Sequence, residues 1–204
     1  MDFPWTTSRR AFADAAEWFV TTAALVDGRW DEPGLGEWDI RSLVGHTSRA
    51  LLTVESYLQR PADQADVEST TAYYRATSAM AAGPGVAERG RAAGEALGTA
   101  PAAAVGEIEG RVVTLLAAYD GTELVTTIAG GMRLADYLPT RTFELVVHTA
   151  DLAAALGVRL EPPPVPAQQA LELVARLAVA EGVTTPLLRA TTGRGPLPPG
   201  FSIL

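Results

Sequence analysis

Apolar residues recur along this chain at intervals of three and four. Phe12, Ala16, Phe19, Ala23 and Val26 share one helical face, and Ala15, Trp18 and Leu25 widen the stripe. A period of 3.6 residues predicts a buried amphipathic helix over 8–27, ended at Asp27-Gly28. A loop rich in Gly, Pro and acid follows over 28–38. Asp39 then stands where an N-cap belongs, ahead of a second helix over 40–59. Its core line is Ile40, Val44, Thr47, Leu51, Val54 and Leu58, and Pro61 stops it. A third helix is expected over 66–82 through Val67, Tyr73, Tyr74 and Met80, broken at Gly83-Pro84-Gly85. Helix resumes over 86–98 and 101–119, with Ile108, Val112, Leu115 and Leu116 inward. The β-branched stretch 122–131, ending in two glycines, predicts an extended crossover or a short strand pair. A long helix is then expected over 134–156, closed by Gly157, with Pro139 marking a kink or a late start. After the stiff Glu161-Pro-Pro-Pro164 comes a last amphipathic helix over 166–181. The tail from 192 has no helical period.

The helix over 134–156 carries two rows. Leu138, Leu145, Leu152 and Leu156 are apolar; Tyr137, Arg141, Glu144, His148, Asp151 and Ala155 run beside them. Glu144 and His148 are four apart and share a face. The chain has only one other histidine, His46, on the flank of the second helix. Two imidazoles and a carboxylate suit a divalent metal with open positions, and helical bundles build such sites from facing helices. An ordinary i,i+4 pair on a solvated face gives the same spacing, so the pattern leaves both readings open.

Composition narrows the chemistry. The 204 residues are 48% hydrophobic, enough for one packed domain with a small appendage. A net charge of −8 without a basic stripe argues against nucleic acid as a partner. No apolar run reaches the roughly 18–20 residues of a membrane span, and the first residues do not read as a signal peptide. A cytoplasmic chain with a small-molecule substrate, monomeric or homodimeric, is expected. There is no cysteine, so a reactive sulfur must come from a cofactor. All 16 basic residues are arginine, which excludes a Schiff-base lysine and a P-loop lysine.

Trp38-Asp-Ile-Arg-Ser-Leu-Val-Gly-His46 resembles the tryptophan-to-histidine segment of the DinB-like superfamily. Its closest likeness is to the branch of mycothiol-dependent maleylpyruvate isomerase N-terminal domains. Gly131-Met-Arg-Leu-Ala-Asp-Tyr-Leu-Pro-Thr-Arg-Thr-Phe-Glu-Leu-Val-Val-His-Thr-Ala-Asp-Leu152 resembles the same family's second signature. Gly193-Arg-Gly-Pro-Leu-Pro-Pro-Gly-Phe201 resembles its C-terminal ends. The resemblance implies an all-α, DinB-like four-helix bundle of up-down-down-up type, with a short extended crossover and a small C-terminal helical appendage. The bundle would span 1–158, and 159–204 would pack on it.

The resemblance further implies a divalent metal, usually zinc, held by His46, Glu144 and His148. Mycothiol or a similar thiol would be the co-substrate. Apart from the resemblance, Trp38 precedes the ligand helix and is a candidate wall of the cofactor pocket, and Arg141 is a candidate to orient a substrate carboxylate or to make a structural ion pair. The implied activity is thiol S-transfer to, or isomerisation of, a small electrophile, with no residue assigned to catalysis. A metal-dependent hydrolase, with Asp151 as candidate base or ligand support, and a non-catalytic metal-binding regulatory bundle are the alternatives. Maleylpyruvate isomerisation itself does not carry over, because the family's isomerase has a larger C-terminal domain than 158–204 supplies.

Overall fold

A computed structural model of the chain describes residues 3–81 and 85–204. Helix α1 spans Trp5–Ala23 and continues as a 3-10 turn to Val26. Helix α2 spans Ile40–Leu58, and its N-cap is Asp39, whose carboxylate accepts from the Ser42 N–H at 2.7 Å. Then come α3 (Thr70–Ala81), α4 (Gly85–Ala96) and α5 (Pro101–Leu116). Strands β1 (Leu124–Thr127) and β2 (Gly130–Arg133) form an antiparallel hairpin. Helix α6 spans Leu134–Ala155, α7 Pro164–Ala180 and α8 Thr184–Thr191. The fold is an all-α, DinB-like bundle with one small sheet among the described residues.

Contacts between helix ends give the direction of each element. Trp5 donates to the Tyr119 carbonyl at 3.2 Å, and Arg29 to the Leu156 carbonyl at 3.2 Å. The start of α1 therefore lies where α5 ends, and the ends of α1 and α6 lie together. Tyr137 donates to Thr53 across 3.1 Å while His148 meets His46, so α2 runs against α6. Arg41 reaches the Gly98 carbonyl and Arg111 pairs with Glu55, so α5 runs with α2. The order is up, down, down, up for α1, α2, α5 and α6.

One core joins these helices. Phe12, Phe19, Leu43, Leu51, Leu138, Leu145 and Leu152 are fully buried in it. Ala170, Leu173 and Leu177 of α7 belong to the same core, and Gln169 donates to Ser8 of α1 at 3.0 Å. No helix among the described residues is long and apolar enough to cross a membrane.

The elements depart from the sequence expectation in two places, the start of α3 and the chain after α7. Helix α3 starts at Thr70, not at 66, because the preceding segment is tied to the hairpin. Asp66 and Val67 donate their N–H groups to the Gly131 carbonyl, and the Asp66 carboxylate accepts from Gly131 N–H at 2.8 Å. Ser69 then caps the helix by accepting from Ala72 N–H. The expected break at Gly83-Pro84-Gly85 falls partly outside the described residues, as does the Met80 side chain. Helix α6 begins ahead of Pro139, which excludes a late start. The helix over 166–181 is not the last: α8 follows it, a helix of eight residues with none buried, too short for a helical period to stand out in the sequence. The expected strand pair over 122–131 is the hairpin, turning at Ile128-Ala129 and extending to Arg133.

Candidate metal centre

The site lies where α2, α3, α4 and α6 meet. His46 comes from α2, and Glu144 and His148 come from successive turns of α6. Each offers a ligand atom within 4.8 Å of the other two. His46 and His148 stand edge to face with ring centroids 4.7 Å apart. Glu144 Oε2 is 3.3 Å from His148 Nε2. The three line a cavity of about 380 Å³, within the size range of small-molecule sites.

The two imidazoles are tuned in opposite directions. Burial drives His46 down to about 4, with the His148 charge adding to the effect. His46 is therefore neutral and presents a lone pair. Its Nδ1 is buried without a hydrogen-bond partner, an arrangement that costs about 1–3 kcal/mol when nothing else satisfies the atom. Burial also opposes charge on His148, but hydrogen bonds to Asp151 and Glu144 outweigh it and raise the ring to about 9. Burial likewise works against charge on Glu144, yet His148, Arg141 and Tyr74 hold its carboxyl at about 2.

The groups around the set fix its orientation. Asp151 Oδ2 lies 3.0 Å from His148 Nδ1. A carboxylate only accepts, so Nδ1 carries the proton and Nε2 faces Glu144. Carboxylate–histidine pairs of this kind are the usual support behind a metal-bound imidazole. Tyr74 donates to Glu144 Oε1 at 2.9 Å, and the same hydroxyl is 3.1 Å from the Thr140 carbonyl. Trp38 stacks on His46 with centroids 4.5 Å apart, and its indole N–H donates to the Ala87 carbonyl. Gly90 leaves room for that indole: a Cβ there would sit 2.6 Å from the ring. Gly45 and Gly94 allow α2 and α4 to touch backbone to backbone, which keeps Trp38 pressed between α4 and His46.

Every residue singled out in the sequence is near this point, in differing roles. Trp38 and Arg141 line the cavity with the three metal-set residues. Arg141 lies over the Tyr73 and Tyr137 rings at 5.6 and 5.2 Å and donates from Nε to Thr140 Oγ1. Asp151 is not among the cavity-lining residues; it holds the far side of His148. Sequence reading missed the part played by Tyr74, which it placed in the core of the third helix. The available signal was the residue type, since a buried tyrosine needs a partner for its hydroxyl.

Residues 10–153 match the family described as mycothiol maleylpyruvate isomerase N-terminal domain. The chain belongs to this family, within the DinB-like superfamily. The match takes in His46, Glu144 and His148, and it stops before α7. No curated protein and no solved structure matches the chain.

Proposed function

We propose that this member of the maleylpyruvate isomerase N-terminal family binds a divalent metal through His46, Glu144 and His148. Two imidazoles and one carboxylate favour zinc. The metal would lower the pKa of a bound thiol, and mycothiol is the thiol that the family description suggests. The reaction is thiol transfer to, or thiol-assisted isomerisation of, a small electrophile held in the cavity.

The observation that carries this reading is the paired state of the two rings. His46 is kept neutral by burial, and His148 is turned by Asp151 so that Nε2 meets Glu144. A protonated His148 places Nε2–H against Glu144 Oε2 at 3.3 Å, and a metal held by the same two atoms would take the place of that proton. Trp38 and Arg141 wall the cavity on either side and orient the thiol and its partner. Residues 159–204 form an appendage to the 1–158 bundle, and Leu204 reaches the cavity wall. Hydrolysis is less well supported, because Asp151, its candidate base, is engaged behind His148.

The test is elemental analysis of untagged protein beside His46→Ala. One metal ion per wild-type chain and loss in the variant are expected; equal content in both would sink the site. Metal-loaded protein is then given a bimane electrophile with and without a low-molecular-weight thiol. Thiol-dependent turnover that vanishes in His148→Ala supports transfer, and turnover without thiol supports hydrolysis.

A further inference from the structure

The cavity holds two arginines that the metal site does not use, Arg49 of α2 and Arg89 of α4, beside Arg141 of α6. Among the described residues none of the three has a carboxylate within ion-pair distance. Arg91, two residues from Arg89, is paired with both Glu37 and Glu88. Arg10, Arg29, Arg75, Arg111 and Arg133 also have acidic partners. The chain as a whole carries −8, yet among the described residues Glu144 is the only acid that lines the cavity. Three arginines with no carboxylate partner among the described residues therefore share one opening in an acidic protein.

The placement is regular. Arg49 follows His46 by three residues, and Arg141 precedes Glu144 by three. Each helix therefore sets a guanidinium about one turn, roughly 5 Å, from a metal-set residue. Because α2 and α6 are antiparallel, both steps lead the same way along the bundle. Arg89 approaches from α4 at the exposed rim. Charges of one sign in a partly buried space repel one another, and burial together with Arg89 and Arg141 lowers the proton affinity of Arg49. An anion between them removes that repulsion, and guanidinium forks match carboxylate and phosphate oxygens in paired hydrogen bonds.

We propose that Arg49, Arg89 and Arg141 form an anion-binding subsite next to the metal set, and that it holds a carboxylate or phosphate group of the electrophile. Mycothiol is a thiol on a sugar skeleton without a carboxylate or phosphate, so the anion belongs to the other reactant. Assignment to the electrophile rests on the proposed thiol chemistry. The subsite itself does not, and it can be tested without metal.

Calorimetric titrations of succinate and of inorganic phosphate are made into chelator-treated wild type, Arg49→Gln, Arg89→Gln, Arg49→Lys and Arg9→Gln, each checked for helical content. Wild type is expected to bind at least one of the two anions, more weakly as salt rises. Each Gln variant should bind about tenfold more weakly, as expected for losing one charge-assisted pair. Arg49→Lys should recover part of the loss, and Arg9→Gln, an exposed arginine of α1 outside the cavity, should bind like wild type. The preference between succinate and phosphate identifies the group. Equal affinity in wild type and both Gln variants, no binding of either anion, or binding only after zinc is added would overturn the subsite. Failure of His46→Ala to lose metal would overturn the metal site and leave the subsite standing.

Discussion

The two long faces of α6 are built from one helix and owe their order to different forces. On one face Leu138, Leu145 and Leu152 are fully buried and need no particular partner. Burying each such side chain stabilises by about 1.5–3 kcal/mol, whatever apolar surface it meets. On the other face Arg141, Glu144, His148 and Asp151 are drawn half out of water, and each depends on named atoms. Glu144 has Tyr74 and His148; His148 has Asp151. Desolvating charges costs about as much as pairing them returns, so the polar face is weak evidence of stability. The difference teaches that one face holds the bundle together through non-specific burial, while the other is ordered by particular polar partners.

The largest expected effect is on the apolar face. Leu145→Ala should cost about 2–5 kcal/mol in urea unfolding, because the void cannot fully close. The folded fraction should bind metal as wild type does. Loss of metal in step with stability would mean that the two faces are not separable.

Substitutions behind the polar face should do the reverse. Asp151→Asn should weaken zinc binding by about 10–100-fold in a competition titration, with little change in unfolding. Tyr74→Phe should act in the same direction and less strongly, since Glu144 keeps its contact with His148. A large loss of stability without a change in affinity would make both residues structural.

The last effect, of at most about 3 kcal/mol on either side, is a dependence of the metal-free protein on pH. His148 has its folded pKa raised from 6.5 to about 9. Its contribution is complete below pH 6.5 and is lost as pH rises through 9. His46 has its folded pKa lowered from 6.5 to about 4, so its contribution is present above 6.5 and is lost as pH falls through 4. Urea unfolding in chelator should therefore weaken on both sides of pH 6.5. Zinc should remove the alkaline loss, because metal takes the place of the His148 proton. A flat profile between pH 6.5 and 9 in chelator would contradict a protonated His148 against Glu144.

Much of this comparison was legible in the chain. Spacing alone put Glu144 and His148 on one face beside a leucine row, and Asp39 announced the start of the helix that carries His46. Tyr74 was harder to place, because an i,i+4 pattern reports a face and not the atom across from it. Arg49 and Arg89 had no signal, since an arginine on a helix is ordinarily solvated. The start of α3 was misplaced for a related reason: Asp66 and Val67 satisfy their backbone on Gly131, which is distant in sequence.

By itself, the sequence determined the helices, the leucine face and the donor types, because these follow from short-range periodicity and side-chain chemistry. Only the tertiary structure decided that the His46 and His148 rings meet at 4.7 Å, one neutral and one charged. It also decided that three arginines, none with a carboxylate partner among the described residues, share their cavity. Protonation and pairing depend on burial and on neighbours from other helices, and no local pattern records which neighbours those will be.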